Sequence, residues 1–225
     1  MQGTRVMVFY DGGFFRAGQQ FFRYKEKRGW FSIPRLHSLL EKYVAQKAKQ
    51  PLELTKVVGA HHYDGRTSTA AARSDQLVND RKFEIALIQG GVVPHYLPLR
   101  ETPRQTSGAD ETQFTLSQKG VDVQFALDVL DYAHTDRFDV AVLITGDADF
   151  VPLVRKITSI GQHALIAHFQ IEPWEDDRKK HHQGTWCSRD LLDAASWSLD
   201  FNHLVSERDW KDDVKSLFFQ PKDKD

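Results

Sequence analysis

Val140-Ala141-Val142-Leu143-Ile144 is followed at once by Thr145-Gly146-Asp147-Ala148-Asp149-Phe150. Five apolar residues without alternation suit a strand covered on both faces, as in a parallel sheet packed between helices. The polar stretch after them then marks the carboxyl end of that strand. It carries two carboxylates two residues apart, which repel each other unless a cation stands between them. An aspartate is a good helix N-cap, since it accepts the free N–H groups of a first turn and favours the positive end of the helix dipole. Capping accounts comfortably for one of the pair and leaves the other over.

Four more short apolar runs, at 5–10, 54–60, 91–97 and 163–168, alternate with segments whose apolar residues recur at three-and-four spacing, at 33–48, 70–88, 121–133 and 150–160. Alternation of the two periods predicts an α/β layered fold, with a central, mostly parallel sheet of about five strands and helices on both faces. Pro94 confines the third strand to an edge or an irregularity. Residues 100–119 are polar, contain Pro103 and Gly108, and show no clear period, which predicts a long loop. Beyond His168 the pattern becomes irregular. Residues 171–215 read as an extension in which Leu191, Leu192, Ala195, Trp197 and Leu199 rejoin the core, and 216–225 read as a frayed tail.

Composition narrows the function classes. Of 225 residues 40% are hydrophobic, enough for a substantial core, and the formal charge of -1 excludes the global basic field of many nucleic-acid binders. Any polyanion must be met locally. The lone Cys187 excludes an internal disulfide framework and suits a reducing compartment. No apolar run approaches a membrane span and no signal-peptide pattern opens the chain, so a cytoplasmic protein is expected, with no membrane partner. Self-association is left open.

In a parallel α/β sheet every strand ends on one edge, and ligands bind outside it. Asp11 follows the first strand, Asp147 and Asp149 the fourth, and Asp122 opens the helix reached from the loop after the third. If the first and fourth strands are neighbours, all four acids meet on one rim. Clustered acids raise one another's pKa unless cations neutralise them, and oxygen-only ligands favour a hard ion, Mg²⁺ or Mn²⁺. Such an ion lowers the pKa of a bound water and stabilises the leaving oxygen of a phosphodiester. Asp128 lies six residues after Asp122, about 120° around the helix, where partial burial among apolar neighbours suits a supporting role. Thr145 is placed to support in the same way.

Three stretches together, Val8-Phe9-Tyr10-Asp11-Gly12-Gly13, Lys119-Gly120-Val121-Asp122 continuing to Asp128, and Thr145 to Phe150 with Pro152 and Leu153, resemble the NYN domains, a branch of the PIN-like nucleases, and especially their LabA-like members. The resemblance assigns residues 1–170 to one such domain. It implies a PIN-like three-layer fold, a divalent-metal site formed by Asp11, Asp122, Asp147 and Asp149, and hydrolysis of RNA. Many members of the family carry asparagine three residues after the first aspartate, where this chain has Phe14. That departure removes a polar group near the site and bears directly on activity. An RNA-binding or regulatory module that keeps the acids without cleaving is therefore the alternative.

For the RNA itself, Lys119 is a candidate phosphate contact. Arg16, Arg66 and Arg104 are candidates for a local phosphate track, and Phe14 and Tyr63 for base stacking. Paired histidines at 61–62 and 181–182, with Cys187 and His203, invite a zinc reading, but their spacing matches no strong Cys/His pattern. A dinucleotide fold is disfavoured because Gly12, Gly13 and Gly18 do not make the required glycine pattern. Trp186, Trp197 and Trp210 suit either core packing or a protein interface.

Overall fold

β1 (Thr4–Asp11) runs directly into α1 (Gly12–Gln20), which continues as a π-helical turn, Phe21–Lys25. Then come β2 (Trp30–Phe31), α2 (Ile33–Ala48), β3 (Thr55–Arg66), α3 (Ser74–Gln89), β4 (Val93–Pro98), β5 (Arg100–Arg104) and β6 (Gln113–Ser117). They are followed by α4 (Val121–His134), β7 (Val140–Ile144), α5 (Val151–Ser159) and β8 (His163–His168). The chain closes with β9 (Trp174–Glu175), β10 (His181–His182), α6 (Arg189–Ala194), β11 (Trp197–Asp200), α7 (Phe201–Leu204), α8 (Lys211–Leu217) and β12 (Phe218–Phe219). This computed structural model describes residues 3–66, 74–104, 113–117 and 120–220, with the backbone alone at 74–76, 100–104 and 113–117.

Six strands form the main sheet in the order β11-β8-β7-β1-β3-β4, and every pair is parallel. Successive residues of β1 point to opposite faces. Val6, Val8 and Tyr10 join an apolar layer with Phe15 of α1, Leu36 and Leu40 of α2, and Val214 of α8. Met7 and Phe9 join a second layer with Phe125 and Val129 of α4 and Val154 and Ile157 of α5. The result is the expected α/β three-layer arrangement, with one strand more than expected. The addition is β11, which pairs with β8 from Trp197↔Leu165 to Asp200↔His168 and buries Leu199. Pro94 stands on β4, an edge strand, where its missing N–H disturbs no inner ladder.

Three expectations are corrected. The second strand does not end at Ala60 but continues to Arg66, because β4 pairs with it from His61↔Val93 to Arg66↔Pro98. The ladder carries polar residues that an apolar reading passes over. The stretch expected to be a loop at 100–119 contains an antiparallel pair, β5 with β6, from Arg100↔Ser117 to Arg104↔Gln113. Residues 105–112 and 118–119 lie outside the described residues. α1 begins directly after Asp11, with two glycines in its first turn. Here Gly12 and Gly18 serve close packing, since a Cβ at Gly12 would overlap Asp64 and one at Gly18 the ring of Phe169. Finally, the tail does not fray from 216: Leu217 is buried and Phe218 pairs with Phe31.

Candidate active site on the carboxyl edge of the sheet

β1 lies between β3 and β7, and its connection runs to β3 through α1 and α2, which pack on one face. The connection from β7 runs to β8 through α5, which packs on the other face. The two chains therefore diverge at the carboxyl ends of β1 and β7, which is where a parallel α/β sheet opens a crevice. Asp11 is the last residue of β1 and the N-cap of α1, its side chain accepting the Phe14 N–H at 3.2 Å. Its other oxygen accepts the hydroxyl of Thr145 at 2.9 Å, and Thr145 in turn accepts the N–H of Asp147 at 3.3 Å. Thr145 is fully buried and ties the two strand ends together.

Asp147 caps the short 3₁₀ turn Ala148–Phe150, accepting the N–H of Asp149 at 2.9 Å. Asp149 is exposed and caps nothing among the described residues. Asp122 sits in the first turn of α4, where the helix dipole favours it, and is also exposed. Asp11 and Asp122 sense the acids around them. Burial pushes Asp11 up to about 6 against the bonds from Phe14 and Thr145, and the charges of Asp122 and Asp147 push it the same way. Asp122, open to water on one side, is raised first by the partial desolvation its surroundings impose and then by Asp147 and Asp149. Among the described residues no basic side chain is among the causes acting on either of them. Their side chains nevertheless do not close on a point: among the described residues no three His, Cys, Asp or Glu groups stand close enough to hold one ion.

The sequence matches the NYN domain family over residues 5–175. This chain belongs to the NYN domain family. The NYN domain is a domain of the PIN-like nuclease superfamily, and the six-stranded parallel sheet with helices on both faces is consistent with that fold. Among solved structures it is similar to a protein of unknown function from Vibrio parahaemolyticus RIMD 2210633, with TM-score 0.51 and 20% identity over 89% of this chain and 94% of that one. That likeness is one of fold. No curated protein matches the chain.

The remaining candidates in this NYN domain divide. Asp128 does not face the other acids. It accepts the Tyr63 hydroxyl at 3.0 Å and the Gln124 amide at 2.6 Å, which ties α4 to β3. Tyr63, expected to stack a base, is fully buried, with its ring on His95 at 4.6 Å and 7°. It lies inside β3 rather than on a loop, and no face of it is free. Phe14, the other stacking candidate, is half-buried against Phe169 at 5.4 Å, and its ring fills the space beside Gly146.

Arg16 pairs with Asp64, and the two differ sharply in exposure, 47% for the arginine side chain against 6% for the carboxylate. The buried acid thus holds a guanidinium at the surface. Arg66 pairs with Glu84 at 2.8 Å and lies 4.1 Å over the Tyr96 ring. Arg104 is on β5 with its side chain undescribed, and Lys119 lies outside the described residues.

The histidines do not gather into a zinc site. His61 faces Phe9 and His95, while His62 faces Tyr10 and Phe83 on the opposite side of β3. His181 pairs with Glu175 at 3.0 Å, His182 stacks on Trp174, and His203 pairs with Glu207. Burial pushes the Cys187 thiol up to about 12, which leaves it a poor nucleophile. Trp186 was missed as a site neighbour. Asp64 follows the second strand visibly enough to be expected near the rim, but Trp186 gives no signal of its position.

Proposed function

We propose that this NYN protein is a divalent-metal-dependent ribonuclease that hydrolyses RNA phosphodiester bonds, with Asp11, Asp122, Asp147 and Asp149 around Mg²⁺ or Mn²⁺. The observation that carries this reading is the convergence of negative charge at the crevice, from Asp122 and Asp147 on Asp11 and from Asp147 and Asp149 on Asp122, which no basic side chain among the described residues is seen to relieve. An oxygen-only donor set of that charge fits a hard cation, and the open geometry suits an ion that keeps several of its waters. Such an ion neutralises the acids, activates water and stabilises a leaving alkoxide.

The chain's own part is orientation. Thr145 and the Phe14 N–H hold Asp11 by both oxygens, the turn at Ala148 fixes Asp147, and Asp149 stands exposed on that turn. Asp64 holds Arg16 where a phosphate oxygen can meet it. The lone Cys187 supports a reducing compartment, and hence a cytoplasmic RNA.

One observation favours a second reading, an RNA-binding module with little cleavage. Phe14 places a hydrocarbon ring beside Gly146, where many relatives are expected to carry an amide. Incubation of the protein with end-labelled single-stranded and structured RNA, in Mg²⁺, Mn²⁺ or EDTA, separates the two. The nuclease reading expects cleavage that EDTA abolishes and that Asp149→Asn severely reduces. Cleavage indifferent to both would overturn the metal mechanism, and retention of RNA without cleavage would favour the binding module.

A further inference from the structure

We infer that Trp186 is a stacking platform for a nucleobase of a single-stranded nucleic acid whose phosphate lies at the acid rim. This rests on the reading that a nucleic acid occupies the crevice, and it adds a contact from outside the matched family region, which ends at residue 175.

Trp186 is the tryptophan most open to solvent, at 53%, whereas Trp174 and Trp210 are buried and Trp30 and Trp197 lie between. The place of Trp186 is fixed from both sides. Just before it, Thr185 exchanges two backbone hydrogen bonds with Ile171, both at 2.8 Å. Just after it, the Ser188 N–H donates to the Gly146 carbonyl at 2.8 Å. Gly146 itself lies between Thr145, which holds Asp11, and Asp147. A Cβ at Gly146 would overlap the Trp186 carbonyl, so the strap is laid directly on the residue that joins the two acid-bearing segments.

The ring is seated as well as its backbone. The outer carbons of its six-membered ring, Cζ2 and Cη2, occupy the space that a side chain at position 184 would need. Gly184 therefore backs the indole while about half of its surface stays in solvent. A ring held this way has little freedom left to lose on binding, which favours its use as a platform. Stacking is tolerant of base identity, because every base has a π face. The predicted specificity is accordingly for bases over bare backbone rather than for one sequence.

The test uses the full chain in Ca²⁺ with a fluorescein-labelled single-stranded RNA octamer, the DNA octamer of the same sequence, and an octamer of abasic ribose phosphates. Binding of RNA by the wild type is expected to quench tryptophan emission. Trp186→Ala is expected to weaken RNA binding roughly 10-fold, while Trp186→Phe restores most of it and neither change alters binding of the abasic octamer. Equal losses on RNA and DNA identify the base as the ligand, and a loss on RNA alone adds a ribose contact. Unchanged RNA affinity in Trp186→Ala, with wild-type binding intact, overturns the inference and leaves the proposed function standing. So does an equal loss on the abasic strand, or loss of self-association in place of RNA binding. A wild type that neither binds nor cleaves RNA overturns both.

Discussion

His62 makes the stability of this domain sensitive to mild acid, and one substitution isolates the effect. The side chain is fully buried on β3 between Tyr10, Phe83 and Tyr96, and among the described residues neither ring nitrogen has a hydrogen-bond partner. Burial first, then the charge of Arg16, lowers its pKa from 6.5 to about 3. The unfolded chain takes up a proton near pH 6.5 while the folded chain refuses it until about pH 3, so stability is complete above 6.5 and falls as pH drops. At pH 5 the refusal spans about 1.5 pH units, or roughly 2 kcal/mol at 1.36 kcal/mol per unit.

His61, lowered to about 4, acts in the same direction, while Asp11, raised to about 6, takes its proton first in the folded state and opposes the loss. A comparison of wild type with His62→Leu cancels both. Leucine has a similar volume and no orphaned nitrogens, so the variant is expected to be more stable by about 1 kcal/mol at pH 7.5. Its advantage should widen by roughly 2 kcal/mol at pH 5. Urea unfolding followed by tryptophan emission at the two pH values measures it. An advantage that is the same at both, or a variant less stable at pH 5 than wild type, would refute the assignment of a neutral buried imidazole.

Three other perturbations test the scaffold around the acids. Asp139→Asn weakens the grip of Arg5, whose backbone N–H reaches Asp139 at 2.6 Å and whose guanidinium reaches it at 2.8 Å. Burial alone would raise Asp139, but these bonds hold it below its usual range, so the roughly 1 kcal/mol expected at pH 7, discounted for exposure, should vanish as pH falls below about 4. Gly146→Ala forces a methyl group onto the Trp186 carbonyl and the Phe14 ring. A loss of roughly 1–3 kcal/mol by calorimetry is expected, together with weaker RNA binding. Tyr63→Phe deletes the bond to Asp128 and should lower the unfolding midpoint by an amount equivalent to about 1–2 kcal/mol. No change in that midpoint would show that the bond does not fasten α4 to β3.

Much of the layered fold could be read from two periodicities, because inner parallel strands must be apolar on both faces and covering helices on one. The rim acids were legible for the same reason: Asp11, Asp147 and Asp149 stand directly at strand ends. What escaped was every feature carried by backbone pairing. β3 continues for six residues past Ala60 because β4 supplies hydrogen bonds to His61 through Arg66, and hydrogen bonds leave no hydrophobic trace. That extension alone turns Tyr63 from an exposed stacking candidate into a buried anchor for Asp128. The strap bearing Trp186 is likewise placed by carbonyls and N–H groups of Ile171, Thr185, Gly146 and Ser188, which any sequence offers.

The two aspartates after β7 divide the labour in a way that spacing alone does not reveal. Asp147 commits one oxygen to the N–H of Asp149 and takes its own N–H into the hydroxyl of Thr145, the group that also holds Asp11. It is therefore part of the frame, and its charge is fixed in direction before any ligand arrives. Asp149 spends nothing on the turn that carries it and remains exposed. Its conversion to asparagine removes charge with little cost to the frame, whereas the same change at Asp147 disturbs both. For that reason Asp149→Asn is the variant whose loss of cleavage, with folding retained, reports on chemistry rather than on architecture.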